Sequence, residues 1–247
     1  MIIAGLQKTT LIDYPGKLAC IIFLAGCNFR CPWCYSSELV LPEKIAKQTR
    51  FSEKEIFDFL KERQGLLDGV VICGGEPTIN KGLPEFIKKI KKLGYAVKLD
   101  SNGSNPKMLK DLIDKKLIDY VAMDIKTKYQ ILNTKSQFYY ESLFVDGVKM
   151  ANIEKSVEIL KHLPMQAENK VDFEFRTTVV PGVHVKEDFW KIAKWIGGKD
   201  VKYYLQNFVA QKTIDEKFEK IKPYSKEWLE DVVKEISPYF KICQFRG

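Results

Sequence analysis

The chain has 247 residues, 45% of them hydrophobic and 29% charged, which is ordinary for a soluble globular protein. No apolar run reaches about 18 residues, and the N-terminus lacks a charged region followed by a long apolar stretch. We therefore expect no membrane span and a cytoplasmic location. The net charge of +8 includes lysine runs such as residues 88–92, which favour a solvated helix face over a nucleic-acid site. Charge alone leaves an RNA or an acidic protein partner open.

Predicted strands and helices alternate along the chain. A Pro-Gly turn within residues 11–17 precedes an apolar run typical of a strand buried on both faces. With that run first, strands are predicted at residues 18–24, 69–73, 96–99, 120–125, 171–180, 201–209 and 240–245. Helices are predicted at residues 53–64, 83–93, 106–116, 153–162, 186–196 and 228–236. Ser52 and Glu55 form a capping box for the first of these helices.

This alternation predicts a parallel sheet built from βαβ units. About six strands fit the pattern, fewer than the eight strands of a closed barrel. We therefore expect an α/β fold with the shape of an open partial (β/α)6 barrel. We also expect one domain, residues 1–247, with its core at about 18–210 and a C-terminal helix and short strand at 225–247. The irregular stretch 127–152 is long for a connection, and such loops are often functional.

Three cysteines directly follow the first apolar strand with the spacing C-x3-C-x2-C: Cys27, Cys31 and Cys34. Cysteine thiolates are the usual ligands of a [4Fe–4S] cluster, and three of them leave one iron open for a catalytic ligand. A zinc half-site or a redox pair of cysteines is the alternative. A zinc site requires further ligands, but the other three cysteines and both histidines are scattered. The spacing therefore favours a cluster with these cysteines as metal ligands and catalytic centre.

Glycines and polar residues follow the later strands. Ligands of parallel α/β sheets bind outside the carboxyl ends of the strands, so we expect these residues to converge near the cysteines. They are Gly74, Gly75, Glu76, Pro77, Asp100, Ser101, Asn102, Asp124, Lys126 and His184. The glycine pair allows a backbone to approach a ligand closely. Glu76 either receives an ammonium group or orients its loop.

The cysteine motif, with Trp33 before its last cysteine, and the run 74–77 resemble the radical S-adenosylmethionine (SAM) superfamily. Residues 10–16 and 26–32 further resemble the activating proteins of anaerobic ribonucleoside-triphosphate reductase. Residues 100–103 and 123–126 resemble the matching strand ends of glycyl-radical-enzyme activases. Tyr35 is a departure, because many activases have histidine there.

The resemblance implies a radical SAM barrel in which SAM binds the open iron of a [4Fe–4S] cluster and is cleaved to methionine and a 5′-deoxyadenosyl radical. It also implies a set of cofactor-binding residues: Trp33, Gly74, Gly75, Glu76, Pro77, Asp100, Ser101, Asn102, Lys126, Arg176 and His184. Lys126 is expected at the SAM carboxylate, or else as a solvated strand-end lysine. His184 approaches the adenine or is only a turn residue. Asp100 and Asp124 alternatively share a monovalent cation.

The implied substrate is a backbone glycine of anaerobic ribonucleotide reductase, a glycyl radical enzyme, with reduced flavodoxin or ferredoxin as electron donor. The stretch 127–152, with Tyr129, Phe138, Tyr139 and Tyr140, is a candidate docking surface for the partner or else packs on its own barrel. Two alternatives stay open. One is a radical SAM enzyme acting on a small molecule such as a deazaguanine precursor, and the other is a redox or RNA-binding module with a structural cluster.

Overall fold

The computed structural model describes residues 1–126, 143–145, 147–163 and 171–246. Within these residues one sheet has the strand order β1 to β8. The strands are β1 Ile3–Thr10, β2 Ala19–Leu24, β3 Gly69–Gly74, β4 Ala96–Ser101, β5 Tyr120–Asp124, β6 Asp172–Val179, β7 Gly198–Asn207 and β8 Phe240–Arg246. The helices are α1 Ser37–Val40, α2 Pro42–Ile45, α3 Glu53–Glu62, α4 Leu83–Lys92, α5 Pro106–Asp114, α6 Met150–Lys161, α7 Lys186–Ile196 and α8 Lys226–Ile236.

The sheet is parallel from β2 to β8, and only β1 runs antiparallel to its neighbour. No pairing within the described strands joins β8 to β1, so the barrel stays open. The predicted α/β open partial barrel is confirmed, with β2 to β7 as its six strands and β8 as one more parallel strand. No helix among the described residues is long and apolar enough to cross a membrane.

The sequence analysis missed two parts of this fold. Strand β1 carries Gln7, Lys8 and Thr9 on exposed positions, so it lacks the apolar run by which the other strands were recognised. It forms because the turn at 11–17 folds it back onto β2. The short helices α1 and α2 follow the cysteines and have no apolar periodicity of their own. The capping box of α3 is present, with the Glu55 amide donating to Ser52 Oγ at 3.2 Å.

The inner side of the barrel is filled at one end only. Early strand positions pack a small apolar cluster in which Tyr14 from the turn covers Ile21, Val71 and Tyr120. The much larger core lies between the sheet and the helices. Later positions on the same inner face line an open cavity at the carboxyl ends of the strands. The fold therefore leaves space where the sequence analysis expected the ligands.

Candidate functional site

A cavity of about 300 Å³ lies at the carboxyl ends of the strands. It brings together most of the predicted site residues. Those that line it are Cys27, Cys31, Trp33, Cys34, Gly74, Gly75, Asp100, Ser101, Asn102, Lys126 and Arg176. Glu76, Pro77 and His184 are not among its described lining residues. The predicted docking aromatics Tyr129, Phe138, Tyr139 and Tyr140 lie outside the described residues.

The three motif cysteines are free thiols that share this cavity. Burial raises the pKa of both Cys27 and Cys31 to about 12. A thiolate at neutral pH therefore requires a compensating positive charge, which a metal centre supplies. The Phe29 amide already donates to Cys27 Sγ at 3.3 Å, a contact that favours the thiolate form.

The donor set fits a cluster better than a single ion. Among the described residues, no three His, Cys, Asp or Glu side chains are grouped closely enough to hold one metal ion. The cysteines of an iron–sulfur cubane each bind a different iron, so they are spread more widely than the ligands of one zinc ion. The three motif thiols share one cavity, and no histidine is among its described lining residues, which matches the cluster arrangement.

The cysteine loop is also held from outside the barrel. The Ile214 amide donates to the Cys34 carbonyl at 3.0 Å, and the Asp215 amide donates to the Pro32 carbonyl at 2.9 Å. Phe218 packs on Trp33 with ring centroids 6.1 Å apart. We call residues 212–218 the clamp segment. Sequence reasoning missed it because backbone amides carry no residue signature.

Gly74 and Gly75 bring the glycine loop against the cysteine loop. A Cβ at Gly74 would lie 2.2 Å from the Leu24 carbonyl oxygen, and one at Gly75 would lie 2.0 Å from the Gly26 carbonyl oxygen. Gly74 also has a φ of +120°, which favours glycine. The close approach that the glycines permit is therefore first of all to the chain itself, beside Cys27.

Glu76 is fully buried behind this loop. Its carboxylate accepts hydrogen bonds from the Thr78 amide at 3.0 Å, from Ser101 Oγ at 2.9 Å and from the Asn102 amide at 2.6 Å. Burial raises the pKa of Glu76, and these hydrogen bonds oppose the rise. The contacts favour the second of its two predicted roles, orientation of the loop, and Pro77 starts the short 3₁₀ turn that follows.

A pair of asparagines joins the loops after β2 and β4. Asn102 Nδ2 donates to Asn28 Oδ1 at 3.0 Å, and Asn28 Nδ2 donates to Ser104 Oγ at 2.8 Å. Together with Glu76, these bonds tie the cysteine loop, the glycine loop and the β4 turn into one polar network. Asn28 was not predicted, since a single asparagine inside a cysteine motif carries no separate signal.

Five charged side chains form a row of alternating sign across β4, β5 and β6: Lys98, Asp100, Arg176, Asp124 and Lys126. Arg176 Nη1 lies 3.0 Å from Asp100 Oδ2, and its Nε lies 2.9 Å from Asp124 Oδ1. Lys126 Nζ lies 2.8 Å from Asp124 Oδ2. The two carboxylates considered for a monovalent cation thus already share the guanidinium of Arg176.

The pairing within this row shifts the pKa values of Asp124 and Lys126. Burial acts to raise the pKa of Asp124, but the charges of Arg176 and Lys126 outweigh it and hold that pKa well below its usual value. Burial acts to lower the pKa of Lys126, and Asp124 outweighs it, so the Lys126 pKa is raised. Both groups therefore stay charged across the physiological range.

His184 lies behind Trp33 and is almost fully buried. Its Nδ1 accepts a hydrogen bond from the Val180 amide at 3.1 Å, and its Nε2 lies 3.1 Å from the Lys126 carbonyl oxygen. The ring therefore braces the strand end that carries Lys126. The predicted approach to an adenine stays a prediction.

Several lining residues were not assigned to the site from the sequence. They are Asp13, Phe23, Phe29, Tyr35, Ser36, Val40, Cys73, Thr178 and Gln206. Asp124 also lines the cavity, and the sequence analysis expected it at this edge of the sheet without a role in binding SAM. Tyr35 stands 54% exposed. Thr178 follows Arg176 by two positions on β6, so the period of a strand was the signal that could have found it.

An open parallel α/β barrel with the three motif thiols and a glycine loop at its strand ends is an architecture of the radical SAM type. Residues 21–196 match the family model of the Radical SAM superfamily, and the chain belongs to that superfamily. The predicted family is thereby confirmed.

Curated relatives with different names match the chain, and two of them bear on its function. A Methanocaldococcus jannaschii protein named "Putative glycyl-radical enzyme activating enzyme" is 36% identical over 230 residues, which are 92% of this chain and 87% of that protein. A 7-carboxy-7-deazaguanine synthase of Thermococcus kodakarensis is 24% identical over 176 residues, covering 64% of this chain and 67% of the relative.

Solved structures show the same fold. Streptococcus suis SuiB bound to the precursor peptide SuiA superposes with a TM-score of 0.64 at 15% identity, covering 92% of this chain and 48% of that one. SuiB bound to S-adenosylmethionine superposes with a TM-score of 0.61 at 16% identity, covering 92% of this chain and 52% of that one. The chain spans about half the length of these SuiB chains, and at this identity the likeness shows the fold alone.

Proposed function

We propose that the protein is a glycyl-radical-enzyme activase that holds a [4Fe–4S] cluster on Cys27, Cys31 and Cys34. Its target is a backbone glycine of anaerobic ribonucleoside-triphosphate reductase. The observation that carries the proposal is the convergence of three free thiols, the glycine loop and Lys126 on one cavity at the strand ends. The family implies both the cluster and SAM.

When bound, the cluster would supply the electron that cleaves SAM to methionine and a 5′-deoxyadenosyl radical. The chain's own residues bind and orient SAM. Lys126 uses one N–H on Asp124 and keeps others for the SAM carboxylate. Ser101 and Asn102 line the wall for the amino group or ribose, and Trp33 and Phe23 exclude water from the cavity.

Two features support the choice of substrate. The relative named for glycyl-radical enzymes matches almost the whole chain, whereas the deazaguanine synthase matches less of it at lower identity. Residues 10–16 and 26–32 resemble reductase activating proteins.

We propose reduced flavodoxin or ferredoxin as electron donor and the cytoplasm as the location.

Anaerobic reconstitution with iron and sulfide tests the proposal. With dithionite and SAM, the reconstituted protein is expected to release 5′-deoxyadenosine. With a purified anaerobic ribonucleoside-triphosphate reductase, electron spin resonance is expected to show a glycine-centred doublet. Absence of 5′-deoxyadenosine would remove the enzyme assignment. Cleavage without a doublet would remove only the activase assignment.

The second candidate is a radical SAM enzyme that acts on a deazaguanine precursor, which the Thermococcus kodakarensis relative favours. It predicts that a pterin-like deazaguanine precursor stimulates 5′-deoxyadenosine release and that no doublet forms with the reductase. The same reaction mixtures therefore separate the two candidates.

A further inference from the structure

The part of the cavity wall formed by β6 and β7 carries two neutral polar side chains. Thr178 on β6 and Gln206 on β7 are register neighbours in the parallel ladder. Both line the cavity that contains the three motif cysteines. Both are half-buried, so a ligand in the cavity would cover them. Neither residue belongs to the motifs from which the family was recognised.

These two side chains keep their hydrogen-bonding groups unused. Across the described residues, neither Thr178 Oγ1 nor the Gln206 carboxamide has a hydrogen-bond partner, whereas their chain neighbours do. Thr177 Oγ1 donates to the Ile125 carbonyl at 2.8 Å, and Asn207 Nδ2 donates to the Tyr224 carbonyl at 3.2 Å. A hydroxyl and a carboxamide each combine a donor with an acceptor. The wall therefore presents unmatched donors and acceptors to the cavity.

Among the described residues, this wall has no positive charge left for a substrate carboxylate. The lining cations are Lys126 and Arg176. Two carboxylates share Arg176, and Lys126 is paired with Asp124 and directs its remaining N–H groups to the SAM carboxylate. Arg246 on β8 stands in register with Gln206, but its guanidinium lies 3.4 Å from the ring centre of Tyr204 and pairs with Glu174 at 3.0 Å. A carboxylated ligand would remain uncompensated beside Thr178 and Gln206. A neutral group with one N–H and one C=O can form hydrogen bonds with Thr178 and Gln206 without any charge to compensate. A main-chain peptide group is such a group.

We propose that Thr178 and Gln206 bind the main-chain peptide groups beside the glycine that loses its Cα hydrogen. This inference rests on the proposed function and identifies where the substrate backbone lies. In the reaction, one hydrogen atom leaves the glycine Cα and bonds to C5′ of the deoxyadenosyl radical. The products are 5′-deoxyadenosine and a glycyl radical that keeps the unpaired electron. No reactant beyond those of SAM cleavage is required.

The test measures transfer from the partner. The reductase is produced with glycine deuterated at Cα, and deuterium in 5′-deoxyadenosine is measured by mass spectrometry. Thr178→Val and Gln206→Glu are compared with Gln211→Glu, which makes the same substitution on an exposed glutamine. We expect each cavity variant to raise the KM for the reductase about tenfold and to lower the deuterated fraction, since each loses a hydrogen bond to substrate. The Gln211 variant is expected to match the wild type.

The results distinguish an error in the assignment of Thr178 and Gln206 from an error in the proposed function. Unchanged KM and deuterated fraction in both cavity variants would overturn the assignment of Thr178 and Gln206, while wild-type transfer keeps the proposed function. A wild type that cleaves SAM but transfers no deuterium would overturn the proposed function itself. Thr178→Ser retains the hydroxyl and is expected to restore the wild-type KM. If it behaves like Thr178→Val, the hydroxyl is not what the substrate contacts.

Discussion

At the scale of the residue, Asp124 connects two half-buried cations, Arg176 and Lys126, and has a depressed pKa. A carboxyl group whose pKa is lower in the folded state contributes stability above its unfolded pKa of about 3.9, and this is lost as the pH falls further. Asp124→Asn is therefore expected to lower the free energy of unfolding by roughly 3 kcal/mol at pH 7. The gap to the wild type should shrink below about pH 4. Urea unfolding of both proteins at a series of pH values measures this difference in the free energy of unfolding.

Asp114→Asn is the control for this prediction. Its carboxylate lies 2.6 Å from Lys110 Nζ, but both side chains are more than half exposed. Exposed pairs contribute little, so we expect a change within about 0.5 kcal/mol at any pH. A gap for Asp124→Asn that stays constant from pH 7 to pH 3 would show that its pairing is not electrostatic in origin.

The cysteines give a second prediction at this scale. Cys31→Ser is expected to abolish both the cluster absorbance and the release of 5′-deoxyadenosine, because a hydroxyl replaces one of three thiolate ligands. Cys73→Ser is the matched control, since Cys73 lines the same cavity but lies outside the motif. Anaerobic absorbance and product assays measure both variants. Retained turnover in Cys31→Ser, or loss of the cluster in Cys73→Ser, would refute the ligand assignment.

At the scale of the element, the clamp segment lies beyond the span 21–196 that matches the family model, yet it touches the cysteine loop. Phe218 is buried against Trp33 and Phe208. Phe218→Ala is expected to cost about 3 kcal/mol of unfolding free energy and to speed loss of the cluster to a chelator. Thermal unfolding and the decay of cluster absorbance measure the two effects.

Lys220→Ala is the control for the clamp, because Lys220 is exposed in the same 3₁₀ turn. It is expected to leave both quantities unchanged. If Phe218→Ala is destabilised but loses its cluster at the wild-type rate, the clamp serves the fold alone.

The strands and helices show which parts of the fold can be predicted from the sequence and which cannot. Most predicted strands and helices are present with shifts of one to three residues at their ends, because apolar runs and periodicity mark buried elements strongly. Helix α7 has the predicted bounds, Lys186–Ile196. Strand β1 escaped because its stability comes from pairing with β2 and not from an apolar run of its own.

The candidate site likewise contains residues that can be predicted from the sequence and residues that cannot. Cysteines, glycines and strand-end charges stand out by type and spacing, so most of the cavity lining was predictable. Asn28, Thr178 and Gln206 are ordinary polar residues whose importance comes only from what the fold places beside them. The sharing of Arg176 by two carboxylates also depends on three strands standing side by side. Such relations are properties of the tertiary structure and have no pattern along the chain.

At the scale of the whole molecule, the C-terminal residues 225–247 are expected to belong to one folding unit with the barrel. Helix α8 buries Leu229, Val232 and Ile236 almost completely, and β8 pairs along β7. Arg246 also reaches Glu174 on β6, a carboxylate that is 1% exposed. Removal of this segment would uncover apolar surface and leave the Glu174 carboxylate buried without a cation, with only the Tyr120 hydroxyl donating to it.

A chain that ends at residue 224 is therefore expected to show no cooperative thermal transition and to retain no cluster after reconstitution. Circular dichroism during heating and iron analysis measure these two results. The comparison is Arg246→Lys, which keeps the positive charge and the whole segment, and which should unfold cooperatively at a slightly lower temperature because lysine lacks the bidentate contact. A truncated chain that melts cooperatively and binds iron like the full chain would mean that residues 1–224 fold as a unit on their own, with α8 and β8 as an addition.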